Sequence, residues 1–565
     1  MKTKTVITII CNFLICNLLI AQNITNTLGS SGIFTIKDVS NNYLSLSQST
    51  GQVNILRTLR LENTTNSGVG IIFKGANSFL HDYHAPGTNG YNTFLGINAG
   101  NFTMSGTGNQ ASFNTGVGNS SLSNITSGSY NTAVGSYSLY SNTTGYSNTS
   151  LGVNSLQWNT IGFNNTALGT GSLSFNTTGD SNTAVGMNSL YSNTSGSSNT
   201  ALGTYSLYSN TTGYDNIALG MYSLYSNTDG YENTALGNLS LENNTYGSYN
   251  TAVGYLSLSS NTSGTNNTAA GSRSLYSNTT GSYNTALGLN SLYSNTTGSS
   301  NTCLGVNSLY FNTTGYSNTS LGVNSLQWNN IGFNNTALGN LSLENNTTGY
   351  NNTALGFNSG YNVTTGSNLT LIGNNAQPTT FTATNQVTLG DANVTSLRCN
   401  VTTITSLSDM RDKKNIKDLS LGLDFLMKLK PRQFNWDKRE WYENNKSDGS
   451  KMKETPTAGF IAQELDSAQT SASAEWLNLV LKDNPEKWEA TPGNLLPVMV
   501  KAIQELNTKC ETLESENSQL KNEIESLKDV KEKLAKLEQT QNELIKIVRS
   551  KTDGENHETK YSAGN

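Results

Sequence analysis

A mainly β fibre is what this 565-residue sequence predicts: a β-roll solenoid of 17-residue coils, then a small α/β domain and a C-terminal coiled coil. Three observations carry that prediction. Asn131-Thr132-Ala133-Val134-Gly135 recurs in 17-residue steps at Asn148, Asn165, Asn182, Asn199, Asn216 and onward to Asn352. Composition then shifts near residue 406 from almost uncharged Asn, Thr, Ser and Gly to a charged, mixed sequence. From Ile503 the chain falls into heptads.

The chain starts with Lys2 and Lys4, a largely apolar run from Val6 to Ile20, and Ala21. Residues 1–21 therefore read as a secretory signal, and the run is short for a membrane helix of about 20 residues. No later stretch is apolar enough to span a bilayer as a helix. Residues 22–90 form a β-rich N-terminal segment, with Ile33-Phe34-Thr35-Ile36 and Tyr43-Leu44-Ser45-Leu46 as strands between polar turns.

The array fills residues 91–375. Self-similarity at one fixed period marks a solenoid. At about 3.3 Å per strand residue, a five-residue segment spans about 16 Å. Seventeen residues then suffice for two strands and two turns, a flattened two-sided coil. The abundance of Asn, Thr, Ser and Gly excludes helical repeats. Gly145, Gly162, Gly179, Gly196 and Gly213 mark one recurring turn. Leu139, Leu156, Leu173, Leu190 and Leu207 are expected to stack as an inner ladder. Burying one leucine yields about 1.5–3 kcal/mol, whereas fixing 17 backbones costs roughly 17–34 kcal/mol. A coil therefore persists only between neighbours. Paired carboxylates or a Ser-His-Asp set are not seen within the array, where Asp180, Asp215 and Glu232 stand singly.

Residues 376–405 close the array through strands at Val387-Thr388-Leu389-Gly390 and Val401-Thr402-Thr403-Ile404. A small domain follows over 406–505, with a helix from Asp424 to Leu429 that Pro431 stops. Trp436, Trp441, Trp476 and Trp488 supply its large apolar surfaces, for a core or an interface between copies. The coiled coil covers 503–549. Leu506, Leu513, Leu520, Leu527 and Leu534 make one seam; Ile503, Cys510, Asn517, Ile524 and Lys531 make the other, with polar residues that cost stability and fix register. A second stripe is Val530, Leu537 and Leu544, and a polar tail, 550–565, is expected to be disordered.

Charged residues make up 13% of the chain and the net charge is −5, so no basic field points to nucleic acid. Five cysteines, two of them in the signal, leave Cys303, Cys399 and Cys510 far apart, without a disulfide framework or zinc site. His81-Asp82-Tyr83-His84 lacks further ligands at metal-binding spacing and reads as a loop. Neither a metal nor a cofactor is expected.

The candidate site is the joint at Ser408-Asp409-Met410-Arg411-Asp412-Lys413. A serine hydroxyl becomes a nucleophile when a base takes its proton, and Lys413, five residues on, is within reach of Ser408. A free lysine is neutral in roughly one molecule in 2500 at pH 7, so such a base needs desolvation. On spacing alone, a solvated basic loop is the commoner meaning of these residues.

Four ordered segments then add a resemblance. Ser408, Asp409, Arg411, Lys413 and Ile416 are similar to the opening motif of the C-terminal intramolecular chaperone of endosialidases and other tail spikes. Leu429 to Trp436, Gly459 to Leu465 and Leu495 to Leu506 resemble that family's later segments. The resemblance implies that Ser408 is the nucleophile, Lys413 its base and Leu407–Ser408 the scissile bond, with Asp409 and Arg411 in support. It also implies a homotrimer, assembled by a domain that then cuts itself off.

The Asn-Thr-Ala-Leu-Gly unit resembles the head repeats of trimeric autotransporter adhesins, which pack as three parallel chains. The expected protein is a secreted or cell-surface, bacterial, trimeric fibre with adhesin character, whose partners are its own copies and a cell-surface glycan or protein receptor. Its enzymatic activity is a single self-cleavage by a Ser-Lys dyad. The alternative is a structural or adhesive surface fibre whose C-terminal domain trimerises and never cuts.

Overall fold

A computed structural model of the chain describes strands at Ile33–Lys37, Asn42–Ser47 and Gln52–Ile55 and residues 59–394, 396–398 and 408–555. The signal at 1–21, Leu407, Cys399, the strand expected at 401–404 and the tail beyond 555 lie outside the described residues. The chain divides into two compact units, Met1–Phe333 and Asn334–Asn565. It is mainly β, a solenoid of about 16 turns followed by a C-terminal helix.

In the first unit, the three N-terminal strands form an antiparallel sheet. The solenoid begins where Ile72–Lys74 and Asn77–His81 pair antiparallel and the second of them pairs with Thr93–Leu95. From there each coil adds one three-residue strand to a parallel ladder, as Thr200–Leu202 does beside Thr183–Val185. In the repeating coils the central residue is inside: Ala201, Ala218 and Ala235 are fully buried, and the flanking strand residues face outward.

One expectation needs correcting. The second side of the coil, Ser-Leu-Tyr-Ser, is not a strand. It is a chain of turns in which Leu139, Leu156 and Leu173 take φ of 50°, 48° and 50°. A left-handed residue costs about 1–2 kcal/mol, but each of these leucines is fully buried, which gains about 1.5–3 kcal/mol. The bend aims the side chain into the coil, and backbone bonds to the next coil (Leu207 N to Ser223 O, 2.9 Å) replace those a strand would make. The inner leucine ladder is present as expected.

Two rows of asparagine hold the turns. In one, Asn216 N–H and Nδ2 both donate to Asn199 Oδ1 at 3.1 Å, and Nδ2 also donates to Gly230 O at 2.8 Å. In the other row Asn210 Nδ2 donates to Asn193 Oδ1 at 2.7 Å and to Gly213 O at 2.9 Å. Both rows are fully buried, so these bonds satisfy amides that would otherwise be costly to bury. The Gly213 row is glycine because of close approach, as a Cβ there would collide with Gly230 O and Asn210 Oδ1. Gly220 needs glycine for its φ of 132° as well.

In the second unit, strands Thr336–Leu338 to Val387–Leu389 continue the same parallel pairing. A separate core then gathers Phe425, Leu465, Ala474, Leu477, Leu479, Val480, Leu495 and Val498. The expected helix near 424–429 is shorter, Leu423–Leu426. Of the tryptophans singled out, Trp488 packs on this core, while Trp436 and Trp476 stay exposed. The helix Leu496–Glu555 carries the heptad residues, and its leucines from Leu506 onward are exposed on the single chain. Among the described residues, no helix is long and apolar enough to cross a membrane.

Candidate functional site

The joint is a single tight turn. Asp409 caps a short 3-10 helix, Met410–Asp412, by accepting from Arg411 N at 2.8 Å. The Arg411 side chain folds back onto the same carboxylate, with Nη2 to Oδ2 at 2.6 Å and Nε to Oδ1 at 3.1 Å. Asp412 N donates to Asp409 O and Lys413 N to Met410 O, at 3.2 and 3.1 Å. This turn reverses the chain over five residues, and Lys413 Nζ donates a hydrogen bond to Ser408 Oγ.

Ser408, Asp409, Arg411 and Lys413 are all exposed on the single chain. The Arg411 guanidinium holds the Asp409 carboxyl below the ordinary carboxylate range, and Asp409 in turn raises Arg411. The pair is a solvated brace that shapes the turn. Geometry of this kind brings a hydroxyl and an amine together; it does not by itself make the amine a base.

C-terminal to the turn in the chain, the later segments singled out in the sequence meet one another. Strand Arg432–Phe434 pairs antiparallel with Thr457–Gly459. Arg432 reaches across to Glu464 on the helix Ala462–Ser471, with Nη2 to Oε1 at 2.5 Å. Glu505 Oε2 accepts from Leu423 N at 2.7 Å, so the long helix caps the short one. Gln469 is buried, accepts from Leu479 N at 3.1 Å and donates to Asp466 at 3.0 Å. Sequence reasoning missed the roles of Arg432, Glu464, Gln469 and Glu505. Arg432 and Glu464 do lie inside the family-like segments, but a pair 32 residues apart leaves no periodic signal.

Elsewhere His81 is buried against Phe94 and Phe102, and its Nε2 meets Ala99 O at 2.8 Å. Among the described residues no group of three or more His, Cys, Asp or Glu is placed to hold a metal ion.

Neither a curated protein nor a solved structure matches the chain. A family model does match, at residues 408–473, and its description is "Chaperone of endosialidase". The match opens on Ser408 and spans the turn, the Arg432–Phe434 strand and the Ala462–Ser471 helix. C-terminal to the repeat region, this chain carries an endosialidase-type chaperone domain.

Proposed function

We propose that the chain is a homotrimeric extracellular fibre whose C-terminal domain aligns three copies and then cuts itself away before Ser408. The observation that carries the reading is the Lys413–Ser408 hydrogen bond at the first residue of the chaperone match. In the reaction, Lys413 takes the proton of Ser408 Oγ, and the oxygen attacks the carbonyl carbon of residue 407. The 407–408 C–N bond breaks, the nitrogen gains a proton, and water hydrolyses the resulting ester. The products are a carboxylate at Leu407 and a free amine at Ser408.

A lysine accepts that proton only when desolvated. Lys413 is exposed in one copy, so burial has to come from the other two. Cutting is thereby tied to assembly, and it removes the route back, leaving the fibre kinetically trapped. The C-terminal heptads support the association: Leu513, Leu520 and Leu527 are 56–64% exposed on an isolated helix. Residues 1–21 support export.

Wild type and Ser408→Ala, expressed as the full chain and run on a denaturing gel, test the cut. A fragment whose first residue is Ser408, present in wild type alone, is expected. Identical intact bands in both leave the scaffold that trimerises without cutting.

A further inference from the structure

The third residue of the solenoid strand faces outward, and its row is aliphatic without a break. From Val117 to Leu321 thirteen consecutive strands end in Val, Leu or Ala, and none ends in a polar residue. Another outward row, two residues before the ladder asparagine, runs Tyr146, Phe163, Asp180, Ser197, Tyr214. That row accepts anything; the strand row does not.

On one chain the strand row is far from covered. Leu151 is 50% exposed, Leu202 38%, Leu219 37% and Leu304 48%. A strand face that meets water ordinarily turns polar. Six of the thirteen are 36–50% exposed and the rest less; at roughly 55 Å² per coil the row offers on the order of 700 Å², beyond the apolar patch of about 300–600 Å² on a typical monomer. It is close to the ~800 Å² that each partner contributes to a standard interface. The occupant must be apolar, uncharged where it touches, and repeat with the rise of the coil. A second copy of the same ladder meets all three conditions.

We propose that this stripe is the contact between copies of the chain, parallel and coil against coil, facing the axis of the trimer. The inference rests on the trimeric-fibre reading above and names the surface that makes it. It has a consequence for the chaperone. Every coil presents nearly the same contact, so sliding one copy by a whole coil, about 4.8 Å, keeps the stripe covered. The stripe supplies adhesion and cannot select a register; the C-terminal helix has to.

The test uses the full chain with Cys303→Ala, Cys399→Ser and Cys510→Ser as background. Leu151→Cys, Leu219→Cys and Leu304→Cys place thiols in the stripe, and Ser195→Cys places one on an exposed row elsewhere. Each is treated with a short bis-maleimide and run on a denaturing gel, with mass taken by light scattering beforehand. Threefold mass, with a cross-linked dimer band for the stripe variants and a single monomer band for Ser195→Cys, is expected. Threefold mass with no stripe variant cross-linking, or with Ser195→Cys cross-linking in their place, overturns the assignment. So does single-chain mass throughout. The same gels report the fragment that begins at Ser408. A monomer that is still cut sinks the stripe and spares the cut; threefold mass with cross-linked stripe variants but without the fragment does the reverse.

Discussion

In the array, the Asn216 amide is fully buried and bonded to the coils on either side, through Asn199 and Gly230. At the joint, Ser408 and Lys413 are in water and bonded to one another within a single five-residue turn. The array spreads its interactions over many equivalent partners 17 residues apart. The joint concentrates its hydrogen bonds in a few exposed atoms of one turn. The difference teaches how one chain sets side by side a buried, fully paired part and an exposed one; on the proposed function, the exposed pair is the part that assembly would switch on.

The largest effect falls on the joint. Ser408→Ala is expected to abolish the cut while leaving the fibre intact, read as loss of the Ser408 fragment. Lys413→Arg keeps the charge and the reach but removes a group that can become neutral. Loss of the cut there too, on the same gel, sharpens the contrast; retention breaks it.

The next effects fall on the array. Leu207→Ala removes a fully buried side chain and is expected to cost about 2–5 kcal/mol, read by denaturant unfolding. Asn199→Ala strips the acceptor from Asn216 N and Nδ2. Leaving buried donors unpaired is expected to cost about 1–3 kcal/mol in the same measurement. If both variants unfold like wild type, the array is not held by its inner ladders.

The smallest effect is the brace. Because Arg411 lowers the Asp409 carboxyl, the pair favours the turn above the ordinary carboxylate range and loses that influence as pH falls through the lowered value. Arg411→Ala should move the Asp409 titration, followed by NMR, back up toward the ordinary value. Both groups are solvated, so stability should change little. A large stability loss would show the brace to be structural.

Much of this is legible in the order of residues. The period names the solenoid, and the spacing of Leu139, Leu156 and Leu173 names its inner ladder, because identical residues at a fixed step must share one environment. The approach of Lys413 to Ser408 is legible only in part: five residues of spacing allow it without requiring it, and it is the resemblance of the motif that singled the pair out. Arg432 with Glu464, and Glu505 above Leu423, are not legible in this way. Their partners are 32 and 82 residues away, and nothing periodic marks them.

The sequence by itself determined the coil length, the order of the domains and which rows repeat. Only the tertiary structure decided that each coil has one strand and not two, that Leu139 and its equivalents bend left-handed, and that the aliphatic third residue of each strand faces outward and uncovered. The reason is energetic. A left-handed leucine is unfavourable by about 1–2 kcal/mol on its own, and it becomes the better choice only where the next coil is present to bury it.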